Sequence, residues 1–208
     1  MPNTGEYLLI GAVAALVTFA TTPLVVRVAR RFGWVVEPDA RRVHKVSTPD
    51  VGGIAMFLGL FAAWLVAANW GKFDGLFARN SEPRGLLYAA GLMFLIGFVD
   101  DIREISAPAK VAGTVVVGVV LVVYGVTMFY FRLPYIDVYI LSDEWIPLIT
   151  VLWLLGMTNA INLIDGLDGL AAGTVTVVTL AYAAIAFRLD SLETALLAAA
   201  GAYTFACG

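Results

Sequence analysis

The chain has 208 residues, 61% of them hydrophobic, and a mean hydropathy of +0.88. Soluble domains hold an apolar share of roughly 45–50%, so these values exclude a soluble enzyme and define an all-α polytopic membrane protein. The formal charge of -3, from 13 basic and 16 acidic residues, argues against nucleic acid as a partner and against a general polybasic membrane contact. A single cysteine, Cys207, excludes an internal disulfide and a thiolate metal cluster and reads as a small core residue.

The first ten residues carry Glu6 and no Lys or Arg. The positive flank of a secretory signal peptide is therefore missing, and the first apolar run is expected to be a retained span. That run, Tyr7 to Val26, is interrupted only by Thr and Pro23 and ends at Arg27, Arg30 and Arg31. The second, Val51 to Trp70, opens on Gly52-Gly53 and closes on an interfacial Trp. The third, Gly85 to Val99, stops at Asp100-Asp101; it is shorter than the ~20 residues a perpendicular helix needs, which places the Asp pair recessed at the interface. Val111 to Met128 is the fourth, rich in Val and Gly. The stretch FYFRLPYIDVYILSDEW around Pro134 and Asp137 reads as an interfacial hairpin. Ile146 to Ile164 and Leu170 to Phe187 are the fifth and sixth spans, and Leu192 to Gly208 begins a seventh. With no fixed-period repeat and no low-complexity linker, residues 1–208 form one domain of about seven helices.

Orientation follows from the Lys and Arg in each loop. With the first loop inside, the cytoplasmic side collects Arg27, Arg30, Arg31, Arg41, Arg42, Lys45, Arg103 and Lys110, and the other side Lys72, Arg79, Arg84, Arg132 and Arg188. The N-terminus is then outside. Alternation brings three polar clusters to the cytoplasmic face: the Arg27 to Asp50 loop, the Asp100-Asp101 turn and the Asn159 to Asp168 turn.

The last of these follows an uncharged apolar run, and polar side chains at such a depth must face a cavity, a partner or an ion. Asn159, Asn162, Asp165 and Asp168 lie three residues apart, and a helix turns about 100° per residue. All four can address one ligand only if the helix breaks, for which Gly166 and Gly169 are suited. A polar inter-helix turn capped by Asp is the alternative. Asp100, Asp101, Asp165 and Asp168 with nearby amides make a hard oxygen-donor set, suited to Mg²⁺ or Mn²⁺ and not to zinc. Arg41, Arg42, His44 and Lys45 supply anion-binding groups, and together these parts describe phosphoryl transfer on a pyrophosphate. Each has a plainer reading: the Arg27 to Arg31 run as a topology signal, His44 as a solvated loop residue, the Asp pair as a cap of the next helix, and Lys110 as a snorkelling anchor.

Three motifs in this order, RRVHKVSTPDVGGIAMF, GFVDDIREISAPAK and NAINLIDGLDGLAAG, resemble those of the polyprenyl-phosphate N-acetylhexosamine-1-phosphate transferases. The resemblance covers essentially the whole chain. It implies Mg²⁺-dependent transfer of a sugar 1-phosphate from a UDP-amino sugar to undecaprenyl phosphate, with release of UMP, at the cytoplasmic face of a bacterial inner membrane. By position, Asp100 and Asp101 match the catalytic aspartate pair, and Asn162, with Asp101, matches the metal site. Arg41, His44, Lys45, Lys110, Asn159, Asp165 and Asp168 fall on substrate-binding positions. A homodimer is compatible with the resemblance, and the N-acetylglucosamine branch is the favoured donor. The family's further Gly-Asp-x-Gly-Ser loop and its His-rich loop do not occur before Gly208, so the chain is expected to be a truncated member. A CDP-alcohol phosphotransferase or prenyltransferase is the alternative enzyme, but Asp100-Asp101 is followed by Ile102, Arg103 and Glu104 and makes no DDxxD motif. An inactive membrane fragment is the non-catalytic alternative.

Overall fold

The structure, a computed structural model, describes residues 4–36, 48–49, 51–133, 137–165 and 170–188. Arg41, Arg42, His44, Lys45, Asp50, Pro134, Gly166, Asp168, Gly169, Cys207 and the seventh expected span lie outside these residues. The other six apolar runs are helical: α1 (Thr4–Phe32), α2 (Gly53–Asn69), α4 (Glu82–Arg103), α5 (Ala107–Val123), α6 (Ile146–Ile164) and α7 (Leu170–Arg188). A 3₁₀ turn (Gly71–Phe73) and the short helix α3 (Asp74–Arg79) follow α2. Two small antiparallel pairs complete the described elements. Strands β1 (Val35–Val36) and β2 (Thr48–Pro49) flank the first loop, and β3 (Tyr130–Leu133) pairs with β4 (Asp137–Ile140), Tyr130 opposite Ile140.

The protein is an all-α polytopic membrane protein. Among the described residues three helices are long and apolar enough to cross a membrane, Gly5–Phe32, Glu82–Arg103 and Ile146–Ile164; a fourth span results if α2 is joined to the segment after it, which bends away by 80°. Helices Ala107–Val123 and Leu170–Ala181 are shorter apolar helices.

Side-chain size decides how closely α1 and α2 approach. Ala14, Thr18, Val25 and Ala29 of α1 are buried, as are Ala55, Gly59, Ala63 and Ala67 at every fourth position of α2. Small residues at that spacing let two backbones approach inside a bilayer, where dispersion contacts replace the hydrophobic effect as the driving force. The Thr18 hydroxyl donates to the Ala14 carbonyl at 2.9 Å, so the buried polar group on this seam is satisfied within its own helix. Gly113 and Gly118 perform the same service elsewhere: a side chain at Gly113 would meet Ile96 of α4, and one at Gly118 would meet Val151 of α6. A column of rings, Phe57 on Phe94, Phe94 on Phe98 and Trp34 edge-on to Phe98, ties α2 and the end of α1 to α4.

Three boundaries differ from those read in the sequence. Helix α1 continues past Val26 to Phe32 and carries Arg30 and Arg31 in its last turn, where cations suit the negative end of the helix dipole. Helix α4 is 22 residues long and holds Asp100 and Asp101 within its last turn; the charges do not end it, and the expected shortfall in span length disappears. Helix α5 stops at Val123 rather than Met128, because Gly125 turns the chain with φ 87°, a conformation glycine adopts without strain. The interfacial hairpin forms as β3 and β4 beyond that turn.

Candidate active site

Helices α1, α2, α4, α5 and α6 alternate in direction, since the start of each packs against the end of the one before. One end of the bundle therefore gathers the end of α1, the start of α2, the end of α4, the start of α5 and the end of α6. Two cavities open at this end. A smaller one of about 320 Å³ lies between α4, α5 and α6, lined by Met93, Ile96 and Gly97 with Asp100, Lys110, Thr114, Thr158, Asn159 and Asn162 among its other walls. A larger one of about 820 Å³ lies over the α4–α5 turn and is lined by Trp34, Asp100, Asp101, Arg103, Glu104 and Lys110 among others. Asp100 and Lys110 line both and form the partition between them.

The partition is built by the turn between the two helices. Glu104 takes the left-handed conformation, φ 45° and ψ 77°, which stops α4 and reverses the chain. Its N–H donates to the Asp100 carbonyl at 2.8 Å, and the next N–H, of Ile105, donates to Asp100 Oδ1 at 3.1 Å. The second carboxylate oxygen, Oδ2, pairs with Lys110 Nζ at 2.6 Å. Each charge stands at the helix end that disfavours it, the carboxylate at the C-terminus of α4 and the ammonium in the first turn of α5. Pairing them offsets both penalties. The Thr114 hydroxyl donates to the Lys110 carbonyl at 2.9 Å and is buried on the cavity side of α5.

The opposite wall comes from α6. Asn159 and Asn162, three residues apart on one helical face, both reach the smaller cavity. The Asn159 amide NH₂ donates to the Leu155 carbonyl at 2.8 Å, which leaves its side-chain oxygen as the acceptor turned outward. Helix α6 ends at Ile164, and Asp165 leaves helical geometry at φ -80° and ψ 42° with its N–H still bonded to Ile161 O at 3.1 Å. The helix break that the three-residue spacing demanded therefore begins at Asp165.

Of the residues singled out in the sequence, the structure gathers Asp100, Lys110, Asn159 and Asn162 around one cavity. Asp101, one step round α4, lines the larger cavity instead. Asp165 is exposed at the end of α6 and lines neither. Arg41, His44, Lys45 and Asp168 fall outside the described residues. Among the described residues no three His, Cys, Asp or Glu side chains come together as a metal centre. The sequence reading missed Thr114, Thr158, Trp34 and Arg103. Spacing would have found the first two, since Thr114 lies four residues after Lys110 and Thr158 four before Asn162, one helical turn in each case.

Carboxylate, ammonium, amide and hydroxyl groups at the border of two cavities can hold a phosphate, move a proton and bind a hard cation. The structure thus defines a membrane protein with a polar, acid-bearing site at one end of its helices. Residues 84–208 match glycosyl transferase family 4, and the chain belongs to that family. It is 34% identical over 178 residues to a decaprenyl-phosphate N-acetylglucosaminephosphotransferase of Mycolicibacterium smegmatis, covering 85% of this chain and 44% of that protein. It is 36% identical to a probable undecaprenyl-phosphate N-acetylglucosaminyl 1-phosphate transferase of Bacillus subtilis, over 77% of this chain and 43% of that protein. A phospho-N-acetylmuramoyl-pentapeptide-transferase of Desulforudis audaxviator is 32% identical, with 88% and 61% covered. The chain thus spans less than half the length of the first two of these relatives.

Proposed function

We propose that the site serves transfer of a sugar 1-phosphate, N-acetylglucosamine 1-phosphate in the favoured case, from a UDP-amino sugar to a polyprenyl phosphate at the cytoplasmic face of a bacterial inner membrane. The names of the relatives support the acceptor class and the sugar. The observation that carries the reading is the Asp100–Lys110 pair, which faces both cavities at once. Such a partition suits a reaction in which two phosphates arrive from different sides.

In this reading the lipid phosphate enters beside the pair and Lys110 shifts its ammonium from Asp100 to a phosphate oxygen. Asp100 Oδ2 is then free to accept the phosphate's proton. A monoester phosphate loses its second proton near pH 6, so a fraction still carries it at neutral pH. The deprotonated oxygen attacks the phosphorus that bears the sugar, a new P–O bond forms, the bridging P–O bond breaks, and UMP departs with that electron pair. Lys110 offsets the charge that builds on the phosphates, while Asn159, Asn162 and Thr158 offer hydrogen bonds from the α6 wall.

A divalent cation belongs to the proposal. Mg²⁺ is commonly held by one or two carboxylates with substrate phosphates and water, so a three-carboxylate cluster is not required. Asp101 and the Asn162 amide oxygen, the pair that the resemblance implies, line different cavities and do not fit one ion as placed. Asp101 with pyrophosphate oxygens in the larger cavity is the group that would hold it, and when bound it would neutralise pyrophosphate charge.

Membranes containing the protein, supplied with polyprenyl phosphate and UDP-N-acetylglucosamine labelled in the sugar, should form labelled lipid, and a chelator should stop this. Asp100→Asn should lower the rate by ~10²–10⁴, the usual worth of a general base. Labelling untouched by the substitution would sink the assignment.

A further inference from the structure

At the opposite end of the bundle a second kind of cavity lies between α1, α2, α3 and α4. It measures about 280 Å³, and its walls are apolar or aromatic, among them Tyr7, Ala63, Ala67, Phe73, Phe77 and Pro83. The Trp64 indole N–H on this wall is already bonded to the Pro83 carbonyl at 3.1 Å. The proposed reaction uses none of these residues. Asp100 lies 17 residues further along α4 from Pro83, or about 25 Å at 1.5 Å per residue.

We infer that this cavity holds one acyl chain of a zwitterionic phospholipid, with the lipid phosphate against Lys72. The interior has no use for water, which needs two to four polar partners, and an apolar cavity of only ~150 Å³ already stays dry and takes up a hydrocarbon. Its walls belong to helices that span the membrane and to a segment that bends 80° away from α2 across the cavity's end. The fluid around such helices is acyl chain, and the bend places polar residues at headgroup level.

The charges beside the cavity match a head that carries both signs. Lys72 adjoins the wall residue Phe73 and pairs with Glu6, which adjoins the wall residue Tyr7, at 3.4 Å. The ammonium side chain is 61% exposed and the carboxylate side chain 14%, so the positive partner is the one presented outward. Asp74, next after Phe73, and Glu82, next before Pro83, are exposed acids, and Arg84 is an exposed base. A phosphate can meet Lys72 while an amine meets Asp74 or Glu82. The polyprenyl acceptor of the proposed reaction places its phosphate at the other end, so this phosphate belongs to a different lipid.

The test uses the full chain in vesicles of phosphatidylethanolamine and phosphatidylglycerol. In separate samples a trace of one or the other lipid carries a photoreactive group midway along an acyl chain. Phosphatidylethanolamine should label Phe73, Leu76 and Phe77 several-fold more than Leu152 and Trp153, which stand on the exposed face of α6. Ala67→Phe, which fills the cavity, should nearly remove the first set and leave the second unchanged. Lys72→Gln should reduce the first set several-fold for either probe, because both carry the phosphate, and phosphatidylglycerol, which lacks the amine for Asp74 or Glu82, should label it less than phosphatidylethanolamine does. Equal labelling of both faces, or labelling that survives the filled cavity, would overturn the site. Preference for phosphatidylglycerol or for a photoreactive polyprenyl phosphate would overturn the assigned lipid. Should the Ala67 variant fail to fold, Lys72→Gln still decides, because Lys72 is exposed and unaltered labelling in that variant would also overturn the proposal. Neither residue belongs to the proposed active site, so sugar-phosphate transfer and lipid labelling can fail independently.

Discussion

Lys110 and Asp100 are each placed against the field of their own helix, and that placement separates a functional pair from a structural one. The Lys110 side chain is 43% exposed and that of Asp100 26%. Ion pairs this open to solvent contribute ~0–1 kcal/mol to stability. Replacing Lys110 by Met should therefore leave thermal melting in detergent nearly unchanged, and should lower sugar-phosphate transfer by ~10²-fold or more, in keeping with loss of a charge that stabilises transferring phosphate. Lys110→Arg should restore part of the rate, since guanidinium also clamps phosphate oxygens, but with altered reach. Equal losses of melting temperature and rate would mark the pair as a staple of the α4–α5 turn. The sequence showed both residues yet not their contact. That contact depends on the left-handed Glu104, a conformation that is uncommon for residues other than glycine and that nothing in IREIS announces. The cap reading of the Asp pair does not hold: Ser106 is the N-cap of α5, which has no side-chain cap bond, and Asp100 Oδ1 instead accepts the Ile105 N–H inside the turn that follows α4. One carboxylate thus both shapes its turn and faces two cavities.

Helices were legible where an apolar run met a polar border. The bounds of α6 agree with those read from the uncharged run that precedes Asp165, since burial in a bilayer leaves little choice of conformation. Helix ends set by backbone geometry were less legible, as at Gly125 and Glu104. The segment after α2 was missed as an element. Phe73 and Phe77, one helical turn apart, both contact the far-end core and are the amphipathic signal that could have revealed it. Packing between elements was legible only as composition. Gly59 is one of 20 glycines, and what singles it out is its neighbour: an added Cβ would collide with Thr18 Oγ1 and with the Ala14 backbone carbonyl. A backbone atom cannot swing aside, so Gly59→Leu should push α1 from α2 and cost at least the ~1–3 kcal/mol typical of an overpacked core. A lowered melting temperature in detergent checks this, and the same substitution at Gly97, where an added Cβ meets nothing within 4 Å, should be mild by comparison. Matching losses at the two sites would show that added bulk anywhere in the bundle, not the seam, governs the effect, since helix propensity favours Leu over Gly.

For the molecule as a whole, the proposed chemistry depends on which end of the bundle faces the cytoplasm. The ends are chemically distinct. The acid and amide groups gather where α4 ends and α5 begins, while the hairpin of β3 and β4 follows the other end of α5, and the segment leading into it is bonded through the Met128 N–H to Thr150 of α6 at 2.9 Å. Helix α5 has 17 residues, about 25 Å of axial rise, so its two ends belong to opposite membrane surfaces or lie close to them. In the proposed reading the acid end faces inside, which the excess of Lys and Arg in the first loop favours and where a UDP-amino sugar would be met. Ser106, in the α4–α5 turn, and Ser142, just after β4, are both exposed and give one reporter for each end. In a Cys207→Ala background, Ser142→Cys should react with a membrane-impermeant maleimide added to intact cells. Ser106→Cys should react only after the membrane is permeabilised. The reverse pattern would place the Asp100–Lys110 partition outside, away from nucleotide-activated sugars, and would remove the proposed donor while leaving the fold, the family and the two cavities as described.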